Sequence, residues 1–177
     1  PLVATHGAAW LQLGAGDPVM TRARDAIGKL APAVSILFAL AGVWVFFGID
    51  GYRIVTQPPH DALPNPLAKE VVRESGALMS IYREAPLALL APLLGLAMPW
   101  VVRLLSAGNR PGLACVTSGF GIAGIIATAG LSMFPFVMPS STDLKSSLTV
   151  WDATSSHLTL SVMFWAVVVL LPIVLTY

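Results

Sequence analysis

The side chains able to do chemistry in this sequence are few, and they gather at the ends of apolar runs. Asp152 lies in Trp151-Asp152-Ala153-Thr154-Ser155-Ser156, three residues after Thr149. That spacing is a capping box, in which a hydroxyl and a carboxylate satisfy the free N–H groups of a new helix. The helix dipole favours a carboxylate there. A carboxylate where a chain enters a membrane also suits a proton or ligand site, with Ser155 and Ser156 as polar companions. Asp50, in Gly48-Ile49-Asp50-Gly51-Tyr52, reads as a helix stop with glycine beyond it, or as a membrane-edge carboxylate paired with a base such as Arg53 or with a partner subunit. Glu74 is a further acidic candidate, for a polar, proton-handling or structural role.

Each of the three histidines has its own setting. His60 sits among prolines and reads as solvated, whereas His6 and His157 lie in apolar runs. Haem iron accepts His with His or Met as its second ligand, and Met133, Met138 and Met163 are near His157 in sequence. Either His6 or His157 could therefore ligate a haem, and His157, about one turn into the last run, is the candidate weighed against the plainer reading of a packed or hydrogen-bonded imidazole. Trp151 and Trp100 stand at run ends, where amphipathic rings meet the membrane boundary and a lipid or quinone. The single cysteine, Cys115, excludes an intrachain disulfide and any cysteine-rich metal site, and no metal site is expected. Gly119-Phe120-Gly121-Ile122-Ala123-Gly124 spells a phosphate-loop pattern, but without a preceding strand it reads as small-residue helix packing.

The elements that must position these groups are membrane helices. Of 177 residues, 56% are hydrophobic and 11% charged, and the mean hydropathy is +0.79. A soluble domain carries about 25% charged residues. The net charge of +1 gives no basic surface for nucleic acid. Charge-free runs predict an all-α, polytopic transmembrane bundle in one region, 1–177, with spans near 28–50, 85–105, 112–134 and 151–177 and a truncated span at 1–16. The opening at Pro1 and the ending within an apolar run predict a piece of a longer protein with no signal peptide.

Between the spans, Asn65 before Pro66 predicts an N-cap and a short interfacial helix over 66–83. Its apolar face would hold Leu67, Val71, Leu78 and Tyr82. Lys69, Glu70, Arg73 and Glu74 would meet water or headgroups, with Glu70 and Arg73 paired across one turn. Basic residues are densest in loops 17–29 and 103–111, which places those loops in the cytoplasm. The proline-punctuated stretch Phe134–Ser141 offers a different function, a secondary transporter with a broken helix.

Several long strings agree with one family. Gly42-Val43-Trp44, Gly48-Ile49-Asp50-Gly51-Tyr52, Asn65-Pro66-Leu67-Ala68-Lys69-Glu70-Val71-Val72-Arg73-Glu74, Met133-Phe134-Pro135-Phe136-Val137-Met138-Pro139-Ser140-Ser141 and Ser147-Leu148-Thr149-Val150-Trp151-Asp152-Ala153-Thr154-Ser155-Ser156 closely resemble subunit II of the cytochrome bd ubiquinol oxidases. They cover most of residues 40–160, in the family's order. The resemblance implies the C-terminal half of a nine-helix subunit in the bacterial inner membrane. It implies a heterodimer with subunit I, and a small accessory membrane subunit as a further partner. It implies an enzyme complex that oxidises quinol, reduces dioxygen to water and supports the proton gradient. Haem b and haem d would belong to subunit I, which favours the plain reading of His6, His60 and His157. Subunit II would contribute access routes and contacts to lipid or a bound ubiquinone. No catalytic residue carries over to this stretch, since those associated with the routes lie in the other half.

Overall fold

A computed structural model of the chain describes residues 1–56 and 66–176. It divides into two compact units, Pro1–Arg53 with Val72–Pro135, and Ile54–Val71 with Phe136–Tyr177. Among the described residues, four helices are long and apolar enough to cross a membrane: Val19–Gly48, Pro86–Ala107, Pro111–Met133 and His157–Thr176. Lipid offers no hydrogen bonds to a backbone, so a spanning chain without a closed barrel must be helical. The protein is an all-α membrane helix bundle, with two short two-stranded sheets in its connections.

The first unit opens with α1 (Leu2–Gly14) and α2 (Val19–Gly48). Helix α2 has 30 residues, about 45 Å at 1.5 Å per residue, against a hydrocarbon core of about 30 Å. Its first turns, carrying Arg22, Arg24 and Lys29, therefore extend beyond the core. Residues 17–29 are thus mostly helix rather than loop, because Met20, Arg22, Ala23, Arg24 and Lys29 are good helix formers. Only residues 15–18 separate α1 from α2.

Strand β1 (Asp50–Thr56) pairs with β2 (Glu70–Ser75), and both cross from one unit to the other in sequence. The expected interfacial helix over 66–83 is not present. A 3-10 turn at Pro66–Ala68, strand β2, a second 3-10 turn at Ala77–Met79 and the five-residue α3 (Ser80–Glu84) take its place. Val71 and Val72 are β-branched and favour the extended chain. Gly76, at φ 77°, then turns the backbone through the left-handed region. The helical face of Leu67, Val71, Leu78 and Tyr82 consequently does not form, and Leu67 is exposed. Extended spacing also cancels the pairing of Glu70 with Arg73 across one turn, since residues three apart in a strand face opposite ways. The expected cap at Asn65 and the loop around His60 lie outside the described residues.

Helices α4 (Leu90–Ala107) and α5 (Pro111–Met133) complete this unit. Helix α1 packs on α2 and α5, α2 on α4, and α4 on α5. The core is made mostly of small residues, Ala8, Ala9, Ala23, Ala31, Ala114 and Cys115, with Ile27 and Val102 among them. Small side chains let membrane helices approach closely, where packing replaces the hydrophobic effect as the driving force. Interhelical hydrogen bonds add to it. Ser106 donates to Gln12 at 3.0 Å and Ser35 donates to the Leu96 carbonyl at 2.9 Å.

In the second unit, β3 (Phe136–Met138) pairs antiparallel with β4 (Leu148–Thr149), Phe136 opposite Thr149. The four-residue α6 (Val150–Ala153) follows, then α7 (His157–Thr176). The last span is thus interrupted at Thr154–Ser156 instead of running unbroken from 151. Hydroxyl side chains compete there for backbone groups. Thr154 donates to the Val150 carbonyl, and Ser156 Oγ accepts from the Thr159 amide at 3.4 Å. The proline segment likewise departs from a broken helix. Helix α5 ends at Met133, Pro135 stops it, and β3 runs to the next proline, Pro139.

Candidate functional site

Asp152 is the best-connected carboxylate among the described residues. Thr149 is the N-cap of α6, and the capping box is complete. Asp152 Oδ2 accepts from the Thr149 amide at 2.9 Å and from the Thr149 hydroxyl at 2.7 Å. The same oxygen accepts from Lys69 Nζ at 2.7 Å. The Lys69 side chain is 2% exposed and that of Asp152 12%. Lys69 was expected at water or headgroups; it is buried instead. It shares the inward alternation of its segment, in which Lys69 and Val71 are buried while Glu70 and Val72 are exposed. Thr149 is buried by the same alternation across from Phe136.

Burial pushes the Asp152 carboxyl up. The Lys69 ammonium and the Thr149 hydroxyl and amide outweigh that push, and the carboxyl is held below its ordinary value. A depressed carboxyl binds its proton less readily in the folded state. The stability it contributes is therefore complete above the unfolded value of about 3.9 and is lost as pH falls through the lower folded value. Between pH 6 and pH 3, thermal melts of the wild-type subunit should fall more steeply than those of an Asp152→Asn variant. Parallel curves would remove the linkage.

The other candidates are less engaged. Asp50 is exposed and opens β1. Its expected partner, Arg53, binds Glu74 instead at 2.5 Å. With side chains 62% and 47% exposed, that pair contributes about 0–1 kcal/mol. Ser155 and Ser156 are exposed, and Ser156 bonds locally to Thr159 at 2.9 Å. Trp151 is half-buried, and Trp100 is exposed with the Arg103 guanidinium 5.9 Å from its ring centre. His157 is the first residue of α7, not one turn inside, and is exposed. His6 Nδ1 lies 2.7 Å from Ser118 Oγ, which donates to the Cys115 carbonyl at 2.6 Å. With that hydroxyl proton committed, the His6 ring is the donor in the α1–α5 contact. Among the described residues, no group of three or more His, Cys, Asp and Glu is arranged to hold a metal ion.

Of these candidates, Asp152 and His6 have their polar atoms engaged within the chain. Sequence reasoning found the capping box but missed Lys69 as its third member. The signal was there in the period of two around Lys69 and Val71, masked by the helical reading.

The family model for cytochrome bd terminal oxidase subunit II matches residues 1–177. The chain is 46% identical over 176 residues to cytochrome bd-I ubiquinol oxidase subunit 2 of Escherichia coli (strain K12). It is 40% identical over 177 residues to the probable cytochrome oxidase subunit 2 of Haemophilus influenzae. Each alignment covers 99% of this chain and 46% of the relative, so the chain spans about half the length of the curated relatives it matches. These likenesses give no support to the secondary-transporter reading of Phe134–Ser141. The chain belongs to the cytochrome bd terminal oxidase subunit II family.

Proposed function

We propose that this chain is the C-terminal part of the non-haem subunit of a quinol:dioxygen oxidoreductase in the bacterial inner membrane. Its role is to build half of the subunit's bundle and part of the interface with a haem-bearing subunit I. A small accessory membrane subunit is a further partner. The observation that carries this reading is the family match along residues 1–177. The spent polar groups support it: His6 on Ser118, and Asp152 on Lys69 and Thr149.

Haem b and haem d are assigned to the partner. Among the described residues, His6 is engaged by Ser118 at 2.7 Å and His157 is exposed at a helix start, which supports this assignment. A ubiquinone bound against this half would meet Trp100 or Trp151 at the membrane boundary. Arg24 donates to Asn109 at 2.8 Å, so the start of α2 and the α4–α5 turn share one end of the first unit. That pairing supports one common side for 17–29 and 103–111, which we assign to the cytoplasm.

Tagged full-length subunit should co-purify stoichiometrically with a haem-bearing partner and consume oxygen with quinol. His6→Ala and His157→Ala should leave every haem absorption band intact. A lost band would put a haem on this chain, and a stable lone subunit without oxidase activity would overturn the assignment.

A further inference from the structure

A cavity of about 490 Å³ opens in the first unit, beside Phe46, Phe47, Arg53, Glu74, Arg83 and Glu84. Phe46 and Phe47 belong to the last turn of α2, which ends at Gly48, and Glu84 lies two residues before the next span begins at Pro86. The cavity therefore sits at a membrane–water boundary. Its apolar wall is two phenyl rings in edge contact, 4.7 Å between centres, with Phe47 78% exposed. Its polar wall carries two guanidinium groups and two carboxylates.

That wall has no net charge, and half of it is uncommitted. Arg53 and Glu74 hold each other at 2.5 Å. Arg83 and Glu84 are exposed, and neither makes an ion pair among the described residues. A guanidinium next to a carboxylate suits a ligand with a phosphate and an ammonium close together. An anionic headgroup would leave Glu74 and Glu84 facing negative charge. A quaternary ammonium would have no N–H to donate to Glu84. The volume falls in the ordinary range for ligand sites, about 300–1,000 Å³.

We propose that this cavity holds the headgroup of a phosphatidylethanolamine. Its phosphate accepts from Arg83, its ammonium donates to Glu84, and its acyl chains run past Phe46 and Phe47. The proposal depends on the membrane reading alone and not on the oxidase assignment.

The test uses the full-length subunit with its partner, stripped of lipid in mild detergent. Phosphatidylethanolamine, phosphatidylglycerol or phosphatidylcholine is then added, and bound lipid is counted by native mass spectrometry. The wild type should retain one phosphatidylethanolamine in preference to the other two. Arg83→Gln should weaken that retention about tenfold, the loss of one charge-assisted contact. Glu84→Lys should turn the preference toward phosphatidylglycerol, a gain that misfolding cannot mimic. Equal retention of all three lipids, or unchanged retention in Arg83→Gln, would overturn the site. So would photo-cross-linking from position 83 to a protein segment.

Discussion

Asp152→Ala should destabilise the subunit by about 1–3 kcal/mol, the cost of removing an acceptor that buried donors share. Lys69 would keep its ammonium at 2% exposure and lose the carboxylate oxygen 2.7 Å away. The Thr149 amide and hydroxyl would lose the same acceptor. Asp152→Asn should do less harm, because its carbonyl still accepts from Thr149 while the charge is gone. Lys69→Met combined with Asp152→Asn should come closest to wild type, since both charges of the pair are removed together. The measurement is the yield of assembled complex and its thermal-inactivation midpoint, across the three variants. The expected order is Asp152→Ala worst and the double variant best. A variant at position 152 that assembles at wild-type yield but no longer consumes oxygen would make Asp152 a proton-handling group instead.

Legibility in the sequence followed the physics of each signal. Membrane helices announce themselves by uninterrupted apolar length, and the runs carrying α4 and α5 could be read directly. The Thr149–Asp152 box is local, so a spacing of three sufficed to find it. The segment 66–83 misled because its polar and apolar residues satisfy a period near 3.6 as well as a period of two, and Pro66 invites a helix start. What decides it is pairing with β1, a non-local contact that no window on residues 66–83 contains. Lys69 was misplaced for the same reason: its partner is 83 positions away. Asp50 and Arg53 are three apart and looked like partners, yet Arg53 instead meets Glu74, a residue of the neighbouring strand β2. The break at Thr154–Ser156 was written in three consecutive hydroxyl residues, which compete for the backbone groups of their own turn.

Gly124→Leu should separate α4 from α5 and prevent the bundle from assembling, while Gly119→Ala should be neutral. A Cβ at Gly124 would lie 2.7 Å from the Gly95 nitrogen, 2.8 Å from Leu94 Cβ and 2.9 Å from the Ala91 carbonyl oxygen. These are backbone or near-backbone atoms of α4, which no rotamer change can move, so even Gly124→Ala must push the helices apart. Overpacking a filled core costs about 1–3 kcal/mol, and a leucine adds three further carbons to the clash. At Gly121 the nearest atom is Met98 Cβ at 3.3 Å, so Gly121→Ala should cost less than Gly124→Ala. At Gly119 nothing lies within 4 Å, and alanine there removes a poor helix former without touching α4. The effect should spread, because Tyr82 of α3 is tied to α5 at Ser132 by a hydrogen bond of 3.0 Å, and α1 reaches α5 through His6 and Ser118. Thermal aggregation of the four variants in detergent ranks them. An unchanged midpoint for Gly124→Ala would show that the helices can separate freely, and that the glycine spacing of α5 has no packing role.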